Sequence, residues 1–211
     1  MKTIALFGGA GRTGREFLRL ALQKGYSVRA LVRSPEKIQD LSSPMLTVIQ
    51  GDVLNADDVA RTVRGSSVVV SLFGHVKGSP PRVQTEGTRL IVAAMQAQGI
   101  GRVISLSGGG LPAPPDQPKF ADKAIVFIMK IVAADVLADA SEHYEVLRAS
   151  GLDWTIVRGP RLTLEPATGT YRVGWVGVNA STSLGRADLA DFLLKQVESG
   201  EFVGRLPFVS K

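Results

Sequence analysis

Three glycines after the amino-terminal apolar segment have the spacing of a phosphate-binding turn. Gly8, Gly11 and Gly14 stand three residues apart, between a predicted strand and a predicted helix. At such a junction glycine lets the chain turn sharply, lets the backbone approach a pyrophosphate, and lets the helix pack closely on the sheet. The free N–H groups at the start of the helix attract the phosphates. We therefore predict that the loop binds a dinucleotide, the alternative being a tight turn without a ligand. The loop comprises Gly8, Gly9, Ala10, Gly11, Arg12, Thr13 and Gly14.

The residue after the second predicted strand indicates which dinucleotide binds. Proteins that select NAD usually carry an acid at this position, where it hydrogen-bonds to the ribose 2′-hydroxyl. Here the position is Arg33, whose guanidinium can pair with a 2′-phosphate, and Arg12 in the glycine loop can reach the same group. Each arginine alone would be an ordinary surface residue. The two together, without an acid, favour NADPH and its oxidised form NADP.

The ends of the third and fourth predicted strands supply further cofactor contacts. Asp52 can accept a hydrogen bond from the adenine amino group, and Val53 can pack on the ring. Asp52 can equally form a turn or cap a helix. The fourth strand leads into Leu72, Phe73 and Gly74, and the glycine allows the backbone to pass close to a ribose.

Short segments rich in valine, isoleucine and leucine alternate with longer helical ones along the chain. The predicted strands cover residues 3–7, 27–32, 46–49, 67–72, 102–106 and 154–157, and the predicted helices cover 13–24, 56–63, 82–98, 138–150 and 186–198. Continuous rather than alternating apolar strands are typical of sheets covered on both faces. The pattern predicts an α/β fold, a Rossmann-type doubly wound parallel sheet formed by a single domain over residues 1–211.

One segment interrupts this alternation. Residues 108–115 form a loop of glycines and prolines, and a mainly apolar helix is predicted at about 120–137. Because loops at the carboxyl ends of parallel strands surround the ligand, residues 108–137 are predicted to form a small excursion on the substrate side, as a lid or pocket wall. The alternative is a structural extension that covers a sheet edge or forms a dimer contact.

Composition limits the classes of function. The 211 residues contain no cysteine, which excludes disulfides and thiolate metal sites, and no metal site is predicted. The net charge of +6 suits a phosphorylated ligand, but the arginines are scattered, so nucleic-acid binding is not expected. The apolar stretch 124–137 is interrupted by charges, and the amino terminus lacks the pattern of an export signal. We expect a cytoplasmic protein without a membrane partner, as a monomer or weak dimer.

Several stretches match a known family. They are the glycine loop 8–14, Leu31-Val32-Arg33, Gly51-Asp52-Val53-Leu54, Glu86-Gly87-Thr88, Ile91-Val92-Ala93-Ala94-Met95, Leu147-Arg148-Ala149-Ser150-Gly151-Leu152, Thr168-Gly169-Thr170-Tyr171 and Asp188-Leu189-Ala190. In these stretches the chain resembles the atypical short-chain dehydrogenase/reductase proteins of the NAD(P)H-binding, NmrA-like kind. Within that family it looks most like the biliverdin-IXβ and flavin reductases and their bacterial relatives.

The resemblance implies an NADPH-dependent oxidoreductase that transfers hydride to a planar acceptor: a flavin such as FMN, a linear tetrapyrrole, or a quinone. It implies that the residues named above bind the cofactor, and that Leu106 and Ser107 at the end of the fifth strand lie beside the nicotinamide. Two departures affect the acceptor side. Arg161 stands where the reductases have a pocket histidine, and the segment after Ser107 is longer.

Ser107 and Arg161 are the candidate catalytic residues. Ser107 can hold the nicotinamide amide or donate a hydrogen bond to the acceptor, or it can be a turn hydroxyl that caps Gly108. Arg161 can attract a carboxylate or phosphate of the acceptor, or it can form a surface ion pair. Hydride transfer to a flavin or tetrapyrrole needs mainly stacking and orientation, and solvent can supply the final proton.

Two other functions stay open. A carbonyl reductase or epimerase would use Tyr144, but Arg148 replaces the lysine of the usual Tyr-x-x-x-Lys, and packing beneath the sheet is the simpler role of this tyrosine. His143 points about 100° away from Tyr144 around the same helix, and we expect it at the surface. The other alternative is a non-catalytic, NADP(H)-binding redox sensor, which the NmrA-like resemblance permits.

Overall fold

The computed structural model describes residues 2–76 and 78–211. Its strands are β1 (Thr3–Phe7), β2 (Ser27–Val32), β3 (Leu46–Gln50), β4 (Val68–Ser71), β5 (Arg102–Gly108), β6 (Asp153–Gly159), β7 (Arg161–Thr163), β8 (Arg172–Gly174), β9 (Ser183–Gly185) and β10 (Phe208–Ser210). Its helices are α1 (Arg12–Gln23), α2 (Ala56–Val63), α3 (Val83–Ala97), α4 (Phe120–Val132), α5 (Ala134–Ala149) and α6 (Arg186–Lys195).

Eight strands form one sheet in the order β3-β2-β1-β4-β5-β6-β10-β8, and β7 pairs with β9 in a separate parallel ribbon. The first seven strands in this order, from β3 at the edge to β10, pair with one another in parallel. The last strand, β8, runs antiparallel to β10. Strand order reverses between β1 and β4, so a crevice opens at the carboxyl ends of these two strands. The predicted Rossmann-type, doubly wound parallel sheet is confirmed.

Strand β1 shows why the apolar runs are continuous. Ile4 and Leu6 pack with Phe17 of α1 in the core on one face of the sheet. Ala5 and Phe7 belong to the core on the other face, which contains residues of α2, α3 and α5. Because alternate side chains of a strand point to opposite faces, a strand buried on both faces needs apolar residues at every position.

The excursion differs from its prediction in one respect. The helix predicted at about 120–137 is two helices, because Ala133 leaves the helical conformation between α4 and α5. None of the α4 residues is buried. Strands β7 to β10 were not predicted, since each has three residues, too few for a periodic pattern. Within residues 2–76 and 78–211, no helix is long and apolar enough to cross a membrane.

Candidate functional site: a dinucleotide cleft and the sheet edge beside it

The glycine loop makes the tight turn between β1 and α1. Gly8 has a φ of +83°, and a Cβ on it would lie 2.6 Å from the backbone carbon of Leu72. The N–H of Gly11 donates to the carbonyl of Gly8 at 3.0 Å. A Cβ on Gly14 would collide with that same carbonyl, so glycine is required at both ends of the loop. Gly11 caps α1 without a side-chain hydrogen bond, which leaves the first N–H groups of the helix available to an anion.

A cleft of about 600 Å³ extends from this loop across the carboxyl ends of β2, β3 and β4. Its lining includes nine of the predicted cofactor residues: Gly8, Ala10, Gly11, Arg33, Asp52, Val53, Leu72, Phe73 and Gly74. Gly9, Thr13 and Gly14 are buried within the turn, and Arg12 is exposed. Leu106 and Ser107 lie further along the same edge, at the end of β5. The fold therefore brings the predicted cofactor residues to one edge of the sheet, and their contacts with a cofactor stay a prediction.

The end of the cleft beside β2 is polar and positively charged. Arg33 is exposed there, and Ser34 and Lys37 line the same wall. Asp52 has a local role, because its Oδ1 accepts from the N–H of Leu54 at 2.9 Å, as in the turn-forming alternative. The same loop is fixed again where the N–H of Asp52 donates to Asp58 at 2.9 Å.

A second positive charge lies near Arg12, and sequence reasoning missed it. Arg186, the first residue of α6, is buried and donates to the carbonyls of Leu162 at 2.9 Å and Thr163 at 3.1 Å. Burial lowers the pKa of the Arg186 guanidinium, and the charge of Arg12 lowers it further. An anion bound between two like charges would relieve their repulsion.

Ser107 occupies the end of β5, and its side chain is buried. Its Oγ has no hydrogen-bond partner among the described residues, so the turn-capping alternative is not seen. The carbonyl of neighbouring Leu106 accepts from Gln84 Nε2 at 3.0 Å. A buried hydroxyl without a protein partner can be satisfied by a ligand or by water.

His75 and Asp139 form a pair at the same edge that the sequence did not indicate. His75 Nε2 lies 2.6 Å from Asp139 Oδ2, within hydrogen-bond distance. Asp139 also accepts from the N–H of Gln84 at 2.9 Å, and from the N–H and hydroxyl of Thr85 at 2.8 and 2.5 Å. It therefore caps the amino terminus of α3 from another helix. No local signal could reveal a pair whose members are 64 positions apart.

Opposing effects act on the Asp139 carboxyl. Burial raises its pKa, but the hydrogen bonds from Thr85, Gln84 and His75 outweigh burial, so the pKa lies below its usual value. The carboxylate is thus the stable form at neutral pH, and it holds both the first turn of α3 and the imidazole of His75.

The prediction that His143 lies at the surface is wrong. His143 is fully buried, and its Nε2 lies 3.0 Å from Ser105 Oγ on β5. Burial lowers the pKa of His143 to about 4, against a smaller opposing effect of Asp139. The imidazole is therefore neutral at pH 7. Helical geometry gives the angle between His143 and Tyr144, but it does not determine which of the two side chains faces the sheet.

Tyr144 lies near the other end of the sheet. Its ring packs edge-on against Trp154, with 5.7 Å between the centroids. Trp154 is paired with Val103 near the start of β5, whereas Ser107 is four residues further along that strand. Four residues of strand span about 13 Å, so the hydroxyl of Tyr144 is not grouped with Ser107.

A buried ion pair fixes the loop after β5. Arg158 is fully buried, and its guanidinium bonds both carboxylate oxygens of Asp116, at 2.7 and 2.9 Å. It also donates to the carbonyls of Leu111 and Leu206. Burial raises the pKa of Asp116, but Arg158 and backbone N–H groups outweigh it and lower the pKa overall. Sequence reasoning chose Arg161 instead, which is exposed at the start of β7 and has no ion pair among the described residues.

The doubly wound sheet, the glycine turn and the cleft together define a Rossmann-type dinucleotide-binding domain. The chain belongs to the NAD(P)H-binding family, whose model matches residues 8–200, and this is an oxidoreductase family. The resemblance to the atypical short-chain dehydrogenase/reductase proteins of the NmrA-like kind is thereby confirmed.

Individual relatives are more distant. An uncharacterized chloroplastic protein of Arabidopsis thaliana is 28% identical over 176 residues, covering 80% of this chain, and the chain spans 62% of that protein's length. A short-chain dehydrogenase/reductase of Veillonella parvula, solved in complex with NADP, superposes with a TM-score of 0.77 at 20% identity, over 100% of this chain and 94% of that one. ChuY, an anaerobilin reductase of Escherichia coli O157:H7, gives 0.78 at 20% identity, over 100% and 97%.

Proposed function

We propose that this protein is an NADPH-dependent reductase that transfers hydride to a planar acceptor such as a flavin, a linear tetrapyrrole or a quinone. The observation that carries the proposal is the cleft, which begins at a positively charged end beside Arg33 and reaches the carboxyl end of β4. The NADP bound to the Veillonella protein and the reductase activity in the name of ChuY support it by similarity of fold.

The cofactor side has the groups that NADPH needs. Arg33 and Lys37 can pair with the 2′-phosphate at one end of the cleft. The open first turn of α1, with Arg12 and Arg186 nearby, can bind the pyrophosphate. The turn before this helix requires glycine at Gly8 and Gly14, because a side chain at either position would collide with backbone atoms. When bound, NADPH supplies a hydride from its nicotinamide ring.

The acceptor side favours an acceptor that binds by stacking. Tyr144 lies away from the carboxyl edge, and the sequence contains no Tyr-x-x-x-Lys to protonate a carbonyl. Ser107 offers a buried hydroxyl, and Arg161 offers a positive charge just beyond β6. These groups can orient a planar molecule that carries carboxylates or a phosphate, as linear tetrapyrroles and FMN do.

The test is an assay of NADPH oxidation with FMN, biliverdin or menadione as the acceptor. We expect steady turnover, and we expect Arg33→Glu to lower kcat/KM for NADPH by roughly ten- to hundredfold, the value of one or two charge-assisted hydrogen bonds. NADPH binding, measured by fluorescence, should weaken by a similar factor. Arg64→Glu, an exposed arginine at the end of α2, makes the same charge change outside the cleft and should have little effect.

Other results would overturn the proposal. Tight NADP binding without turnover of any acceptor would indicate a redox sensor. Activity on a carbonyl substrate that Tyr144→Phe abolishes would indicate a carbonyl reductase or epimerase.

A further inference from the structure

His75 lies between two residues that line the cleft, Gly74 and Val76. Its side chain is directed to α5, where Nε2 contacts Asp139, and 17% of the side chain remains exposed. Nδ1 is the imidazole nitrogen not engaged by that carboxylate. An imidazole with one nitrogen fixed by a carboxylate and the other available is the arrangement used for general acid–base chemistry.

Asp139 is itself held rigidly, so it fixes the orientation of the imidazole. Both of its carboxylate oxygens accept backbone N–H groups from the first turn of α3. The hydroxyl of Thr85 adds a further bond at 2.5 Å. A carboxylate with this many donors cannot rotate without uncapping the helix, and it remains ionised at neutral pH.

The register of α5 against β5 brings Ser107 to the same place. Ser105 and Ser107 project from one face of β5, and Ser105 meets His143. Asp139 lies one helical turn before His143, on the side of the carboxyl edge of the sheet. Ser107 lies two residues after Ser105 on β5, also on the side of that edge. Gln84 links the two elements, because its N–H binds Asp139 and its side chain binds the carbonyl of Leu106.

We propose that His75 is the general acid of the reduction, positioned by Asp139, and that the hydroxyl of Ser107 orients the acceptor beside it. The inference rests on the proposed function. The acceptor takes a hydride, which is one proton together with two electrons, from NADPH. A heteroatom of the acceptor takes a second proton from Nδ1 of the His75 imidazolium. The neutral imidazole then takes a proton from solvent. The sum is NADPH plus acceptor plus one proton, giving NADP and the doubly reduced acceptor.

The other charged groups near this site are paired or neutral. On the outer side of α3 and α5, Arg82 pairs with Glu142 at 2.6 Å and with Glu86 at 3.5 Å. His143 is neutral because it is buried. Asp139 is thus the charged group in direct contact with His75 within the described part of the chain.

The test compares His75→Gln with the wild-type protein, using biliverdin as the acceptor. We expect kcat to fall roughly a hundredfold, the usual contribution of a general acid, while NADPH affinity is retained. The NMR signal of the His75 imidazole, identified by its absence from His75→Gln, should shift when NADP is added.

His143→Gln is the matched control, since the chain has two histidines and His143 stays buried and neutral. It should keep the kcat of the wild-type protein with biliverdin. Asp139→Asn should lower kcat and also stability, because Asp139 caps α3. Thr85→Val removes one hydrogen bond of that cap and measures how much of the loss is structural.

The two proposals fail in different ways. No turnover by the wild-type protein with any acceptor would overturn the reductase. Turnover with the same kcat in His75→Gln would overturn the role of His75 and leave the reductase standing.

Discussion

The two ends of the sheet edge are built by different means. The cofactor end, around β1 to β4, relies on backbone: a glycine turn, an uncapped helix start and strand ends that line an open cleft. The end around β5 and β6, where we propose that the acceptor binds and which we call the acceptor end, relies on buried side chains. These bond each other across long sequence separations, as Arg158 does to Asp116 and Asp139 does to His75. We expect the cofactor end to tolerate side-chain change except at its glycines and arginines, whereas a buried charge network fails when one member is removed.

The largest expected effect comes from breaking the Arg158–Asp116 pair. Arg158→Leu would leave the largely buried Asp116 carboxylate without its cation. We expect the free energy of unfolding to fall by about 3–5 kcal/mol. Urea denaturation measures this. The glycine turn and β2 are not part of the network, so NADPH affinity should change little while the protein remains folded.

The double variant Arg158→Met with Asp116→Leu is the control. Replacing both charges by apolar side chains removes the uncompensated carboxylate, so much of the lost stability should return. Loss of NADPH affinity in a folded Arg158→Leu protein would contradict the separation of the two ends.

The sequence predicted the cofactor end better than the acceptor end for a physical reason. The glycine turn, Arg33 and the strand ends act through local geometry, so their spacing carries the information. Asp116 and Arg158 are 42 positions apart, and neither lies in a periodic pattern that indicates its partner. Long-range pairs of this kind are set by how β5, β6 and the excursion pack.

The same limit explains two errors of detail. Helical spacing gave the angle between His143 and Tyr144, but only Ser105 on the neighbouring strand shows which of them faces the sheet. The break at Ala133 occurs within an apolar stretch without proline or glycine, so no local signal marks it. The types of the longer elements were therefore predictable, and the contacts between elements were not.

Measuring stability as a function of pH tests the contribution of the buried His143 imidazole. The pKa of His143 is about 4 in the folded protein and about 6.5 in an unfolded chain. Between these values the unfolded chain binds a proton that the folded protein does not, so stability should fall as pH falls through this window, by roughly 3 kcal/mol in total. Urea unfolding at successive pH values measures the slope.

His143→Gln should remove this slope, and His75→Gln should keep it. The carboxylates Asp116 and Asp139 also have lowered pKa values, and their contribution is lost at still lower pH. An unchanged slope in His143→Gln would show that another group titrates.

The smallest expected effect is at Asp52, and it tests whether the cofactor end depends on side chains beyond its arginines. Asp52→Ala removes the acceptor for the N–H of Leu54, so we expect a loss of about 1 kcal/mol in unfolding free energy. Asp58 still binds the N–H of residue 52, so the loop should keep its course. NADPH affinity should then fall by about fivefold at most, a change of about 1 kcal/mol. Asp52→Asn keeps an acceptor for Leu54 and should restore the stability.

A much larger loss of NADPH affinity in the alanine variant, measured by fluorescence titration, would mean that the carboxylate holds the adenine. In that case the cofactor end would depend on buried polar contacts as the acceptor end does, and the contrast between the two would be one of degree.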